Sequence, residues 1–264
     1  MAIDIRKEAA KYYDLIPSPF EGKDIQFYIA HLPAGETRVL ELGCGTGRVL
    51  LPLAQYVDFI YGVDLSEAML SICRVKLNQA GIMPTRAQVE WGDITNMDLQ
   101  HKFDLITAPF RVMQNLETDL QLDGLFATIR RHLVPGGKCI LNAFCPWGDE
   151  DFVRHKWAER QTEAFSWETP AGEGRLVCYE YVTRVHPTQY INYPRLIYRY
   201  YEGEELKDEA VLDIAMRAYT PEDFERLVLD HGFQILGKWG GYSGEVYGEG
   251  PELVIEFGDR VEAA

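Results

Sequence analysis

Basic residues are scarce in this chain: 26 lysines and arginines stand against 41 aspartates and glutamates, a formal net charge of −15 over 264 residues. Phosphate contacts reward a positive footprint through counterion release, and a field of this sign repels a polyanion. No nucleic-acid partner is expected. No run approaches the roughly 20 apolar residues that a membrane helix requires, so no membrane partner is expected either. The first eight residues, Met1 to Glu8, lack the apolar core of a signal peptide, and a cytoplasmic location is the expectation. Cys44, Cys73, Cys139, Cys145 and Cys178 make an odd count with no C-x-x-C pair, which points to buried reduced thiols and away from a disulfide framework. The six histidines, at 31, 101, 132, 155, 186 and 231, have no ligand spacing, so no metal is expected. Internal repeats and low-complexity segments are also missing.

What the chain does have is apolar residues, 47% of the total, enough for a substantial core. Between residues 38 and 145 short apolar runs alternate with helical patterns. Strands are expected at 39–42, 59–64, 88–93, 103–108 and 138–143, with helices at 48–57, from Ser66 onward, and at 116–132. Ser66 is a candidate N-cap, Glu67 lies in the first turn, and Arg74 and Lys76 complement the dipole at the other end. Strand–helix alternation of this length means right-handed βαβ units and a mostly parallel α/β sheet with helices on both faces. After Pro146 the pattern changes. Three longer aromatic-rich strands are expected at 175–185, 195–201 and 208–218, too close together for crossover helices and therefore an antiparallel meander. Thr220 followed by Pro221 then reads as a helix start and Gly232 as its stop, and strands at 233–239 and 252–257 bring the sheet to seven.

Three glycines, Gly43, Gly45 and Gly47, lie between the first strand and its helix. Glycine permits positive φ and close backbone approach to a ligand, and a helix start offers free N–H groups. The spacing is G-x-G-x-G, unlike the G-x-G-x-x-G of dinucleotide binders, and Arg48 stands where such a fold wants a third small residue. Glu41 adds an acidic group suited to a cationic ligand. Asp64 ends the second strand, where a carboxylate can accept hydrogen bonds from ribose hydroxyls. Asp93 stands in step at the end of the third.

These residues carry a resemblance. Val39 to Arg48, Gly62 to Leu70, Gly92-Asp93-Ile94 and Leu133 to Lys138 are similar to the first, second and third motifs and the pre-strand-five turn of class I S-adenosylmethionine (SAM)-dependent methyltransferases. The resemblance covers about 40% of the chain closely. It implies a Rossmann-like class I fold of seven strands with an antiparallel β insertion after strand five. It also implies a division of one domain into an N-terminal helical lid (1–35), a SAM-binding core (36–145), the insertion as cap (146–218) and a closing helix with two strands (219–264). SAM is the implied cofactor and S-adenosylhomocysteine the product. By resemblance, Asp64 binds the ribose, Asp93 and Ile94 with Gly92 frame the adenine, and Leu65 and Met69 pack near the base. The backbone of Gly43, Cys44, Gly45, Thr46 and Gly47 approaches the methionine moiety, and Glu41 and Arg48 belong to the cofactor set. Ala108, Pro109 and Phe110 complete the cofactor set.

In such a sheet, ligands meet at the crevice where strand order reverses, between strands one and four. The segment from Ala108 to Asn115 is therefore expected to line the acceptor site, with Phe110 near the sulfonium and Arg111, Gln114 and Asn115 orienting a polar acceptor. The N-terminal Lys11-Tyr12-Tyr13-Asp14 resembles the Tyr-Asp segment that small-molecule N-methyltransferases fold over the cofactor, making Tyr13 a candidate site residue. The insertion and the Thr220-Pro221-Glu222-Asp223-Phe224 helix start resemble the glycine/sarcosine and amino-sugar N-methyltransferases. Ala108-Pro109-Phe110-Arg111 is not the Asn/Asp-Pro-Pro-Tyr/Phe of adenine and glutamine methylation, no Pro-Cys nucleophile is present there, and the acidic cluster of metal-dependent catechol methylation is missing. A small-molecule acceptor is expected, N-methylation ahead of O-methylation. An oxygen acceptor would need a base, with Tyr13, His155 and His186 as candidates; Trp147, Tyr179 and Tyr198 are candidates for an aromatic wall. The alternatives are a non-catalytic SAM-binding module and, with less support, a nicotinamide-dependent oxidoreductase. Oligomeric state and acceptor identity are not readable at this level.

Overall fold

A computed structural model of the chain describes residues 4–144, 162–169, 174–185 and 190–260. Cys145, Trp147, His155, His186 and the turn at 187–189 lie outside these residues. The strands run β1 (Arg38–Leu42), β2 (Phe59–Asp64), β3 (Ala87–Trp91), β4 (Phe103–Ala108) and β5 (Leu133–Phe144), then β6 (Thr162–Glu168), β7 (Arg175–Val185), β8 (Ile191–Glu202), β9 (Glu205–Asp213) and β10 (Met216–Arg217). The last two are β11 (Phe233–Trp239) and β12 (Glu252–Asp259).

Seven strands form one sheet in the order β11-β12-β5-β4-β1-β2-β3. β3, β2, β1, β4 and β5 are parallel, and β12 and β11 pair antiparallel beyond them. The central strands read as mostly apolar runs because both faces are covered: β1 exposes only Arg38, and in β12 even Glu252 and Glu256 are buried. One face carries a cluster around Phe103, Phe126, Phe224 and Phe257, the other a cluster around Tyr28, Leu50, Leu53 and Leu70.

The helices are α1 (Ala10–Tyr13), α2 (Lys23–Ala30), α3 (Leu50–Leu53), α4 (Glu67–Gln79), α5 (Asp119–His132) and α6 (Pro221–Asp230). Ser66 caps α4, its Oγ accepting from the Met69 N–H at 3.2 Å. Thr118 and Gln121 form a reciprocal capping box on α5. Thr220 caps α6 with Pro221 in the first turn, and Gly232 takes the left-handed conformation after it at φ 78°.

Three expectations need correction. The helix expected at 48–57 contracts to α3: Pro52 has no N–H to offer the turn before it, and after Leu53 the bonds tighten to three-residue turns, Gln55 N–H to Pro52 O at 3.2 Å and Tyr56 N–H to Leu53 O at 2.9 Å. The helix expected from 116 begins at Asp119, since Thr118, extended at ψ 152°, is its N-cap; Val112–Asn115 form a separate 3₁₀ turn. The meander of three strands is a five-stranded antiparallel sheet: β6 precedes it, and the strand expected at 208–218 divides into β9 and β10, both on β8. The division falls opposite Pro194 of β8, where the ladder has no donor.

Candidate functional site

The loop after β1 is built from positive φ angles: 69° at Gly43, 54° at Gly45 and 81° at Gly47. The three glycines are there for different reasons. A Cβ on Gly43 would stand 2.5 Å from Val112 Cγ2, and one on Gly47 2.6 Å from Cys73 Sγ, so these two admit close packing. A Cβ on Gly45 would meet nothing within 4 Å among the described residues. Gly45 is thus the point where backbone faces open space and a ligand can approach.

Asp64 fastens this loop. Its Oδ2 accepts the Gly45 N–H at 2.8 Å and its Oδ1 the Ser66 N–H at 2.8 Å, tying the glycine loop to the start of α4. Burial raises its carboxyl above the usual aspartate value, while the two N–H donors pull it back. Each carboxylate oxygen can accept two hydrogen bonds, so both retain capacity for a diol. Cys44 points inward instead: its N–H donates to Val63 O at 2.9 Å and its thiol is buried, hydrogen-bonded to Cys73, which is the main reason its own pKa is raised.

Behind the loop lies a buried polar group of residues. Glu41 is 2% exposed and its Oε2 has no partner among the described residues; burial holds its carboxyl well above the ordinary range. Arg48 pairs with buried Asp24 of α2 at 2.6 Å, and Asp24 Oδ1 is likewise without a partner. Unpartnered buried oxygens beside an open backbone are suited to a ligand that brings N–H donors. Thr46 donates through Oγ1 to Asp14 Oδ1 at 2.7 Å, and Lys76 pairs with the same carboxylate at 3.0 Å.

Toward β3 the site is more open. Leu65 and Trp91 are exposed apolar side chains, and the Trp91 Nε1–H donates to Leu65 O at 2.9 Å. Met69 and Ile94 are buried next to them in sequence. Gly92 N–H donates to Asp64 O at 3.1 Å. Asp93 Oδ1 accepts from Thr95 N–H at 2.9 Å and Thr95 Oγ1 at 2.7 Å, which shapes the turn after β3.

β4 ends in buried Ala108, and after Pro109 come two successive non-glycine residues at positive φ, Phe110 at 58° and Arg111 at 66°. The Phe110 ring lies under the Arg48 guanidinium at 5.2 Å and edge-on to Tyr13 at 6.4 Å and Phe20 at 5.7 Å. The polar groups expected to orient an acceptor are paired within the chain. Arg111 forms an ion pair with Glu252. Gln114 Nε2 donates to Arg217 O at 2.6 Å while its Oε1 accepts the Phe144 N–H at 2.7 Å. Asn115 Nδ2 donates to Ala215 O at 2.8 Å and its Oδ1 accepts from Arg6 at 2.9 Å. These side chains join the loop to β5, β10, β12 and the N-terminal segment.

That N-terminal segment crosses the site. Asp4 Oδ2 accepts from Ser66 Oγ at 3.0 Å at the head of α4. Tyr13 is packed against Phe110, and burial raises its phenol. Its neighbour Tyr12 makes the contacts with the insertion: its hydroxyl donates to Asp208 of β9 and its ring packs on Tyr198 and Tyr200. Tyr198 is buried, whereas Tyr179 lies beneath Arg199 at 5.0 Å. Sequence reasoning did not single out Arg6, Asp24, Trp91, Asn142 or Glu252. Asn142 and Glu252 did leave a signal, as polar residues inside otherwise apolar strand text.

Comparison with known proteins adds to this geometry. A family model described as a methyltransferase domain matches residues 39–137. The dTDP-3-amino-3,6-dideoxy-alpha-D-glucopyranose N,N-dimethyltransferase of Streptomyces fradiae is 28% identical over 157 residues, 57% of this chain and 58% of that protein. The chain thus spans little more than half the length of that relative. Two solved structures share the fold: an S-adenosylmethionine-dependent methyltransferase from Clostridium acetobutylicum, with TM-score 0.76 at 20% identity over 96% of this chain and 97% of that one. The other is the sugar N-methyltransferase KedS8 from Streptoalloteichus, with TM-score 0.68 at 16% identity over 96% and 91%.

Proposed function

We propose that this chain, whose residues 39–137 match a methyltransferase-domain model and whose fold is that of class I methyltransferases, binds SAM and methylates an amine nitrogen of a small molecule, aminodeoxy sugars being the first class to test. The observation that carries the reading is the pairing of open backbone at Gly45 with a buried carboxylate, Asp64, fixed against it. The residues present fit the cofactor. Asp64 retains acceptor capacity for ribose hydroxyls, Leu65 and Trp91 offer exposed apolar surface for the base, and the free oxygens of Glu41 and Asp24 suit an ammonium group. When bound, SAM supplies an activated methyl on a sulfonium, so the chain's task is positioning and exclusion of water, worth roughly 7–11 kcal/mol of barrier. The N-terminal segment through Tyr13 serves as the lid.

An amine is favoured over a phenol or alcohol because it needs no base in the transfer step, only prior loss of its proton. The phenols of Tyr13 and Tyr198, near Phe110 and the N-terminal segment, are pushed upward by burial and remain protonated at neutral pH. The amino-sugar specificity of the Streptomyces fradiae relative supports the same class.

Calorimetry with S-adenosylhomocysteine tests the cofactor: binding to the native chain, abolished in Asp64→Ala, is expected, and a native chain without binding refutes the proposal. Methyl-labelled SAM incubated with amines, phenols and carboxylic acids then tests the acceptor. Turnover confined to amines is expected. Binding without turnover on any of them leaves the non-catalytic module as the better reading.

A further inference from the structure

We propose that Glu252, acting through Arg111 and Asn142, is a positioning residue that holds the loop after β4 in the conformation placing Phe110 at the site. The inference rests on the methyl-transfer reading only for its effect on turnover.

Phe110 and Arg111 both occupy the left-handed region, which side chains other than glycine avoid and which persists only where surroundings over-determine it. Three contacts do so. The Arg111 N–H donates to Asn142 Oδ1 at 3.1 Å, and Asn142 Nδ2 donates to Glu252 Oε2 at 2.7 Å. Arg111 returns to Glu252 Oε1 through Nε at 2.9 Å and through Nη2. The ring closes on itself: backbone of residue 111, side chain of 142, side chain of 252, side chain of 111. Its anchors belong to β5 and β12, which pair directly with Glu252 opposite Phe144. Glu252 is wholly buried, and a buried carboxylate is retained at a cost unless its partners are in place.

The ring governs more than Arg111. Phe20, Phe110 and Phe144 surround the Arg111 guanidinium at 5.6, 5.9 and 4.9 Å, so its position sets the aromatic packing around Phe110. The next residue, Val112, lies directly against Gly43. A change at Glu252 therefore reaches the glycine loop's neighbour and the acceptor side together.

An amide cannot replace this carboxylate. Oε2 accepts from Asn142 Nδ2 while Oε1 accepts from Arg111. A glutamine would present an NH₂ to one of those donors, and flipping Asn142 to relieve the clash would turn its own NH₂ toward the Arg111 N–H.

The test uses the full chain and Glu252→Gln, with Arg111→Lys as a second variant that keeps the charge and loses the fork. Hydrogen exchange by mass spectrometry without cofactor is expected to show amides 110–116 exchanging at least about tenfold faster in both variants, with those of α5 within about twofold of native. Turnover of the amine acceptor is expected to fall about a hundredfold in kcat with the KM for SAM within about threefold. Native-like loop exchange in both variants overturns the inference, as does an unchanged kcat with a raised KM. If Glu252→Gln loses cooperative unfolding altogether, the outcome is decided by Arg111→Lys. Because the exchange measurement needs no cofactor, failure of the native chain to bind S-adenosylhomocysteine refutes the proposed function and leaves the loop result standing by itself.

Discussion

Replacing Gly43 by alanine sets two separable terms against the native fold. The residue is at φ 69°, and a side chain in that region costs roughly 1–2 kcal/mol. The new Cβ would also stand 2.5 and 2.8 Å from the two Cγ atoms of Val112, an overlap of the kind that costs about 1–3 kcal/mol in a packed core. Together the variant should lose roughly 2–5 kcal/mol, a drop in Tm of several degrees or more at roughly 2–4 °C per kcal/mol for a domain of this size. Val112→Ala removes both Cγ atoms and relieves the overlap while leaving the backbone term. In the double variant the loss should therefore shrink by about 1–3 kcal/mol relative to the sum of the singles, read by urea unfolding of all four proteins. Additivity within about 0.5 kcal/mol would refute the claim that Gly43 is required for the approach of Val112. Gly45→Ala is the internal control, since it has the same backbone term at φ 54° and no overlap.

Four other outcomes follow from the geometry. Asp64→Asn should weaken S-adenosylhomocysteine by more than about tenfold, since hydrogen bonds to a charged acceptor are worth about 1.5–3 kcal/mol each. In the native chain that affinity should also fall on acidification at a higher pH than for an ordinary aspartate, because burial raises the Asp64 carboxyl; calorimetry across pH checks both. His132 is neutral in the fold, Nδ1 facing Thr128 O at 2.7 Å and Nε2 accepting the Leu99 N–H at 2.9 Å, and burial lowers its pKa below 6.5. Its stabilisation is therefore present above 6.5 and lost as pH falls through the lowered value, so His132→Phe should be less stable at pH 8 and lose less on acidification to pH 5, by urea unfolding. Thr118→Ala removes the capping box of α5 and should cost about 1 kcal/mol, read from the same unfolding curves.

How much of this was legible beforehand depended on the range over which each feature is determined. The parallel core was legible because strands buried on both faces announce themselves as apolar text, and the loop from Gly43 to Gly47 because strand, glycines and helix lie within a dozen residues. The caps Ser66, Thr118 and Thr220 depend on partners three residues away, and Ser66 and Thr220 could be read for the same reason. By contrast, β6 was missed because its residues, Thr162 to Glu168, carry no clean alternation. The end of β9 was misplaced because the interruption is imposed by Pro194, on a different strand.

The loop after β4 shows the limit most clearly. Phe110, Arg111, Gln114 and Asn115 were recognisable as candidates from their place at the reversal of strand order, and Phe110 does face Tyr13 and Arg48. Their side-chain partners, however, are 30 to 141 residues away, at Phe144, Arg217 and Glu252. A polar residue in such a loop looks the same in sequence whether it faces a ligand or a strand. Partners separate the cases: Glu41 Oε2 and Asp24 Oδ1 keep unfilled hydrogen-bonding capacity among the described residues, whereas Gln114 has its amide nitrogen and its amide oxygen each occupied. On the proposed reading, Arg111 and Gln114 therefore act less by touching an acceptor than by holding the loop after β4 still. Substitutions at those two positions should accordingly alter kcat through loop order before they alter acceptor affinity, and a variant that changed acceptor KM alone would place them back in direct contact with the substrate.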